Sequence, residues 1–217
     1  EPRLSPHLSM GCLSPKLVFH SLRDKYPGKD RDFYKKKVVE DLMIRDYLRL
    51  LGKKFGDIIF QKHGMNENEA LNYENDRALI NQMLAGDTGD ALFNAILNQL
   101  KHTGFIPGFA RIYFARYIID ELGMDWRVGA ELFESYLIDY DPCSNYGNWA
   151  YLAGVGSDPM DDRYFNILSQ AQRHDPEGTY VKHWIPELKQ IPKDKIHEMY
   201  LFCAEKAREY ELALGED

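Results

Sequence analysis

The sequence predicts an all-α fold, an irregular multi-helix bundle built by residues 1–217 as one domain. Three observations carry the prediction. Apolar residues recur at intervals of three and four along nearly the whole chain, the spacing of one helix face. The period-two alternation of a half-buried strand is absent. Gly and Pro stand where the periodic runs begin and end, and no repeat, low-complexity tract or Ser/Gly linker separates the runs into blocks.

The elements follow in order. From Arg31 to Leu51, Tyr34, Val38, Leu42, Leu48 and Leu51 line one face of a long amphipathic helix that Gly52 and Lys53–Lys54 are expected to close. A polar loop from Gly64 to Asn75 leads to a short helix around Ala78–Leu84. After Gly86–Gly89, Thr88 or Asp90 can cap a helix carrying Leu92, Ala95, Ile96 and Leu100, which Gly104 ends. Pro107 starts the next. There Phe109, Ile112, Tyr113, Tyr117 and Ile118 cover so wide an arc that the helix is expected to lie centrally, ending at Gly123. A helix from Trp126 to Ile138 follows, with Ala130, Phe133 and Leu137 on its apolar face. From Tyr140 to Ser157 the pattern breaks into an aromatic, Gly-rich segment that reads as a loop. The remainder predicts a helix near Arg163–Gln172, a short one over Val181–Leu188 broken by Pro186, and a last one from Lys193 to Leu214.

Composition narrows the function classes. A chain of 217 residues that is 44% apolar can bury a sizeable core. No run of 18 apolar residues occurs, and Glu1, Pro2 and Arg3 open no basic-then-apolar leader, so neither a membrane span nor a secretion signal is indicated. The first residue is Glu, so the chain reads as part of a longer one. Cys12, Cys143 and Cys203 are odd in number and form no CxxC pair, which predicts no disulfide framework, no zinc site and an intracellular, reducing compartment. The histidines are scattered and His197–Glu198 lacks the second histidine of a zincin, so no metal is expected. Rossmann glycines, a P-loop and a nucleophile elbow are all missing. With 27 basic and 34 acidic residues the net charge is −7, and nucleic acid would need a local basic face. Lys35–Lys37, Lys53–Lys54, Lys182–His183, Lys189 and Lys195 are the candidates, although a lysine run around a helix usually describes a solvated surface.

The informative segment is LIDYDPCSNYGNWAYLAGVGSDP, Leu137 to Pro159, which sets two aspartates, an asparagine and aromatics in one Gly-rich stretch. Taken alone, Asp139 and Asp141 can simply close a helix, Asn145 can be a turn residue, Arg45 can pair with Asp41 or Asp46, and Trp149 and Trp126 can be core aromatics. Together with RYFNILSQAQRHDPEGTYVKHWIPEL (Arg163 to Leu188), the opening RLSPHLSMGCLSP (Arg3 to Pro15), IHEMY (Ile196 to Tyr200) and the closing LGED, it resembles the C-terminal FAD-binding domain of the photolyase/cryptochrome family, DASH-type cryptochromes above all. The blocks span essentially the whole chain in the family's order. The family's N-terminal α/β antenna domain is expected to be missing from residues 1–217, which begin where the linker from it would finish.

The resemblance implies noncovalent FAD bent into a U among the helices. Arg3, Leu4 and Ser5, in a strand-like opening, and Arg45 are expected at the pyrophosphate, with Glu1 and Pro2 standing where the family has Thr-Ser. Arg111 and Asp139 are expected as a pair beside the flavin ring, Asp141 as acceptor for the ring's N–H edge and Asn145 facing N5, with Tyr140 and Ser144 completing the cofactor set. Trp149 matches the innermost member of the family's tryptophan electron-transfer chain and Trp126 the middle one. The outer position is Met83, which leaves Tyr73, Tyr113 or another tyrosine to substitute. In the substrate layer Asp41 replaces a glutamate, Ile44 and Tyr151 replace tryptophans, and Gly108 and Phe109 replace an asparagine and an arginine. Asp90–Ala91 stand for an aromatic and a proline, and Asn94 for an aspartate. The implied function is blue-light photoreception or light-driven electron transfer by a flavoprotein, with residual affinity for damaged or single-stranded DNA; an enzyme of this kind would be a deoxyribodipyrimidine photolyase-type lyase. A true DNA photolyase with a remodelled pocket and a cofactor-free interaction module stay open beside it. No protein partner is indicated.

Overall fold

The computed structural model describes residues 3–25, 31–65, 73, 76–157 and 165–198, without the side chains of residues 23–25 and 31–35. In chain order the helices are α1 (Ser5–Ser9), α2 (Pro15–Lys25), α3 (Arg31–Phe55), α4 (Arg77–Ala85), α5 (Ala91–Thr103), α6 (Gly108–Arg116), α7 (Trp126–Tyr136), α8 (Pro142–Leu152), α9 (Ile167–His174) and α10 (Thr179–Trp184). Short 3₁₀ turns cover Gly56–Phe60 and Pro186–Gln190, and a π-turn covers Tyr117–Glu121. No strand occurs among the described residues, and none of their helices is long and apolar enough to cross a membrane. The chain divides into two compact units, Glu1–Asn72 with Asp125–Asp161, and Tyr73–Met124 with Asp162–Asp217.

In the first unit, the expected strand-like opening is helical. Leu4 has φ −89° and ψ −18°, and Pro6 falls in the first turn of α1, where its fixed φ suits a helix and its missing N–H is not needed. Leu4, Leu8, Leu13 and Leu22 pack on Val18, Val38 and Leu42, joining α1 and α2 to α3. α3 does not stop at Gly52 but runs on to Phe55. A Cβ at Gly52 would lie 2.6 Å from Cys143 Sγ, so this glycine admits α8 and is no terminator. Lys53 and Lys54 occupy the last turn, where cations suit the helix dipole.

The largest correction concerns Tyr140–Ser157, most of which is the helix α8. Asp141, in an extended conformation, accepts a hydrogen bond from Ser144 N at 2.9 Å, and Pro142 follows at the first helical position. The Gly content that reads as loop serves packing instead. At Gly147 a Cβ would meet Leu48 Cδ2 at 2.7 Å, so α8 and α3 approach closely there. α7 ends at Tyr136, two residues before the expected Ile138.

The second unit follows the sequence more closely. Asp76 caps α4 and Gly86 ends it in the left-handed region; Asp90, not Thr88, caps α5, with Phe93 N at 2.6 Å, and Gly104 ends it. Pro107 stands just ahead of α6, which passes through the π-turn to Leu122. Its apolar arc is narrower than expected. Tyr113, Phe114, Tyr117 and Ile118 are buried, but Ile112 is 45% exposed. Phe93 stacks on Phe114, ring centroids 4.4 Å apart. α9 begins at Ile167, capped by Asn166. α10 stops at Trp184, because Ile185 precedes a proline and is held out of the helical region. Asp175 receives the backbone N–H groups of Tyr180 and Val181, each at 3.0 Å. Of the expected final helix, residues 193–197 form turns, Glu198 is irregular and the rest lies outside the described residues.

Candidate functional site

Five of the candidate residues, Asp139, Tyr140, Asp141, Ser144 and Asn145, lie where α7 turns into α8 in the first unit. Asp139 is buried at 8% exposure in the connection, and Tyr140 follows, half-buried. Burial, then the neighbouring Glu134 carboxylate, pushes the Tyr140 phenol up to about 12. Asp141 caps α8 through one oxygen and takes Arg49 Nη2 at 2.6 Å on the other. Burial pulls its pKa upward, but the Ser144 N–H and Arg49 outweigh burial and leave it below the usual carboxylate range. Ser144 lies in the first turn of α8, half-buried.

Asn145 is buried one residue further on, and its Nδ2 donates to Ala130 O of α7 at 2.9 Å. A carbonyl can only accept, so this bond fixes which way the amide points. Its oxygen is committed to no protein donor among the described residues. Trp149, one turn along, is 2% exposed and packs edge to face with Phe133 at 5.2 Å. Its indole lies against Gly129, where a Cβ would come within 2.1 Å of the ring. Trp126 is wholly buried and donates its indole N–H to Lys62 O at 3.2 Å.

On α3, Arg45 is mostly buried, and it pairs with Asp46 at 3.1 Å rather than with Asp41. Asp41 is exposed and bound to Lys37 at 3.0 Å. Lys36 likewise faces Glu40 at 3.8 Å, so two lysines of the basic run already meet carboxylates. Arg3 and Ser5 are exposed at the start of the chain, while Leu4 is half-buried in the α1–α2–α3 cluster. Arg111 belongs to the second unit, where its Nε donates to Ile106 O at 3.0 Å and its guanidinium lies 5.6 Å from the Phe105 ring centroid. Met83 and Tyr113 are also in the second unit, both buried, and Tyr113 donates to Asp90 at 2.8 Å. Among the described residues no cluster of metal-ligating side chains occurs.

Sequence reading missed Arg49, Gly129 and Glu134. Arg49 lies four residues after Arg45 and therefore shares its face of α3, a signal that was present in the spacing. Nothing in the sequence points to Gly129, whose role depends on an indole arriving from another helix.

The first unit holds a buried carboxylate, a neutral amide locked by one hydrogen bond and an arginine-bearing helix, with buried tryptophans alongside. A family model described as the FAD binding domain of DNA photolyase matches residues 38–217. The chain is 40% identical over 215 residues to Cryptochrome DASH of Synechocystis sp., which takes in 99% of this chain and 44% of that protein. It is 40% identical over 195 residues to Cryptochrome DASH, chloroplastic/mitochondrial, of Arabidopsis thaliana, taking in 90% and 34%. Among solved structures, the Synechocystis sp. cryptochrome matches with a TM-score of 0.83 at 40% identity, over 92% of this chain and 41% of that one. The archaeal photolyase from Sulfolobus tokodaii with two FAD molecules matches with a TM-score of 0.77 at 32% identity, over 91% and 44%. The chain belongs to the photolyase/cryptochrome family as an FAD-binding domain, and FAD is the cofactor that membership assigns. It spans less than half the length of these relatives.

Proposed function

We propose that residues 1–217 act as one FAD-binding domain of a DASH-type blue-light flavoprotein, with the α7–α8 corner holding the flavin ring. FAD supplies the chemistry, absorbing blue light and exchanging single electrons. The observation that carries the reading is Asn145. Its Nδ2 is spent on Ala130 O, so a neutral amide oxygen is what it presents, an acceptor suited to an N–H at the ring's N5 without adding a charge. The donor set fits the rest of the cofactor. Asp141 supplies an acceptor for the ring's N–H edge, each of its oxygens keeping a lone pair beyond its bond to Ser144 N or Arg49, and Asp139 is the carboxylate beside the ring. Arg45 and Ser5, with Arg3 and Leu4 alongside, supply cationic, hydroxyl and backbone donors for the pyrophosphate. Tyr140 and Ser144 flank the ring residues, and Arg111 joins the set on the resemblance alone. Trp149 and Trp126 are the electron carriers of the first unit.

Affinity for damaged or single-stranded DNA is the second part of the proposal. It rests on family membership and on Lys53 and Lys54, exposed at the end of α3. The pairing of Lys36 and Lys37 with carboxylates argues that any such binding is weak and salt-sensitive. Asp41, the residue in the position of the catalytic glutamate, is likewise held by Lys37. An absorbance spectrum of the purified chain before and after blue light tests the reading: flavin bands that bleach under illumination with an added reductant support it, and flavin bands unchanged by light refute photoreduction. Light-dependent loss of pyrimidine dimers from single-stranded DNA would make the chain a photolyase instead.

A further inference from the structure

The tryptophan path of the first unit ends at Trp126, which is buried without exposure to solvent. A positive charge left there returns to its source unless a further donor lies within reach. Trp126 Nε1 donates to Lys62 O at 3.2 Å, and a backbone carbonyl is no base, so an oxidised indole keeps its proton and remains a strongly oxidising cation. Among the described residues its ring partner is a phenol. Tyr146 on α8 meets the Trp126 ring edge to face at a centroid distance of 6.1 Å. Its ring is held from the other side by Phe60 at 4.7 Å.

Oxidising a phenol requires somewhere to put its proton, because the phenol radical cation is a very strong acid. Tyr146 OH donates to Glu134 Oε2 at 3.0 Å, and Glu134 is exposed to water. We infer that Tyr146 is a redox residue of this chain, passing an electron to oxidised Trp126 and its phenolic proton to Glu134. This rests on the reading of Trp126 as an electron carrier. The step balances: the O–H bond of Tyr146 breaks, Trp126 radical cation is reduced to neutral tryptophan, Tyr146 becomes a neutral tyrosyl radical, and the Glu134 carboxylate becomes a carboxylic acid that water can deprotonate. Bound FAD, excited by blue light, would supply the one-electron oxidant that acts on the tryptophans. Burial and the Glu134 carboxylate both raise the Tyr146 pKa, which keeps the phenol protonated at neutral pH until it is oxidised. Tyr113 has a similar partnership, its hydroxyl on Asp90 at 2.8 Å, but its ring neighbour is Phe165 at 6.3 Å, and it meets no indole among the described residues.

The test is transient absorption of the FAD-loaded chain after a blue flash, with freeze-quenched EPR. The expected result is a tryptophan radical that decays as a tyrosyl radical rises, unchanged in Tyr136→Phe. In Tyr146→Phe the tyrosyl signal is lost and the tryptophan radical persists. In Glu134→Gln, a surface change that spares the fold, the tyrosyl radical rises more slowly. A tyrosyl signal that survives Tyr146→Phe, or that survives Trp126→Phe, overturns the assignment. Absence of any tryptophan radical in the unaltered chain would instead defeat the photoreduction reading. The flavin-free chain, oxidised by a photogenerated ruthenium(III) complex, then decides the matter separately: a tryptophan radical with the same lifetime in the unaltered chain and in Tyr146→Phe overturns the electron transfer, and a longer lifetime in the variant upholds it.

Discussion

Gly129→Ala is the most direct probe of how the first unit holds Trp149. The added Cβ would lie 2.1 Å from Trp149 Cη2 and within 2.7 Å of two further ring atoms. To reach the tightest ordinary contact of 3.4 Å the indole would have to withdraw by about 1.3 Å. It has little freedom to do so, being 2% exposed and braced by Phe133 at 5.2 Å. Overpacking of this kind costs about 1–3 kcal/mol, against which the better helix propensity of Ala returns about 0.5–1 kcal/mol in the interior of α7. The net loss, up to about 2.5 kcal/mol, lowers the melting temperature by up to roughly 10 °C for a chain of this size. Thermal unfolding followed by near-ultraviolet circular dichroism measures both the stability and the tryptophan environment. A melting point that rises, with an unchanged tryptophan spectrum, would show that propensity dominates and that the indole does not rest on α7 as described.

Other consequences follow from the same contacts. Gly52→Ala places a Cβ 2.6 Å from Cys143 Sγ, so Cys143→Ala should rescue it, and a double-mutant cycle on the melts should give a coupling of about 0.5–3 kcal/mol; additive single effects would contradict the contact. Asp141→Ala removes the α8 cap and should cost about 1–2 kcal/mol in urea unfolding, whereas Asp141→Asn keeps an acceptor and should cost less; equal losses would deny the capping role. Because the Asp141 pKa is lowered in the fold, its contribution is present above the ordinary carboxylate range and is lost as pH falls through the folded value. Arg49→Met should therefore narrow the stability difference between neutral and acid pH, by no more than about 1 kcal/mol since Arg49 is 44% exposed. Asp90 has the opposite sign: burial raises its pKa, so its favourable contribution is fullest below the unfolded value and fades as pH rises through the folded one, and Asp90→Asn should flatten that slope in pH-dependent melts.

Much of the helical order was legible because its signals are local. Asp76, Asp90 and Gly104 act as caps through bonds spanning a few residues, and the sequence placed Gly104 and narrowed the α5 cap to Thr88 or Asp90. α8 was not legible, because Gly147 and the aromatics around it look like a flexible stretch until Leu48 is seen filling the space a side chain would take. Gly52 misled for the same reason, its partner Cys143 being 91 residues away in the chain. The candidate residues Asp139, Asp141 and Asn145 stood out through a resemblance that covers essentially the whole chain. Their neighbours Arg49 and Glu134 did not, since each is defined by a contact across helices, to Asp141 and Tyr146.

The measurement that bears most directly on the α7–α8 corner as a flavin site is the melting temperature of the flavin-free chain titrated with FAD. A ligand that binds the folded chain alone adds about 2.7 kcal/mol at a hundredfold excess over its Kd, which corresponds to a rise of roughly 5–11 °C here. That rise is expected for the unaltered chain, with its loss in Asp139→Ala and in an Asn145→Leu variant that still folds. No shift at any FAD concentration, or an equal shift in both variants, would contradict it.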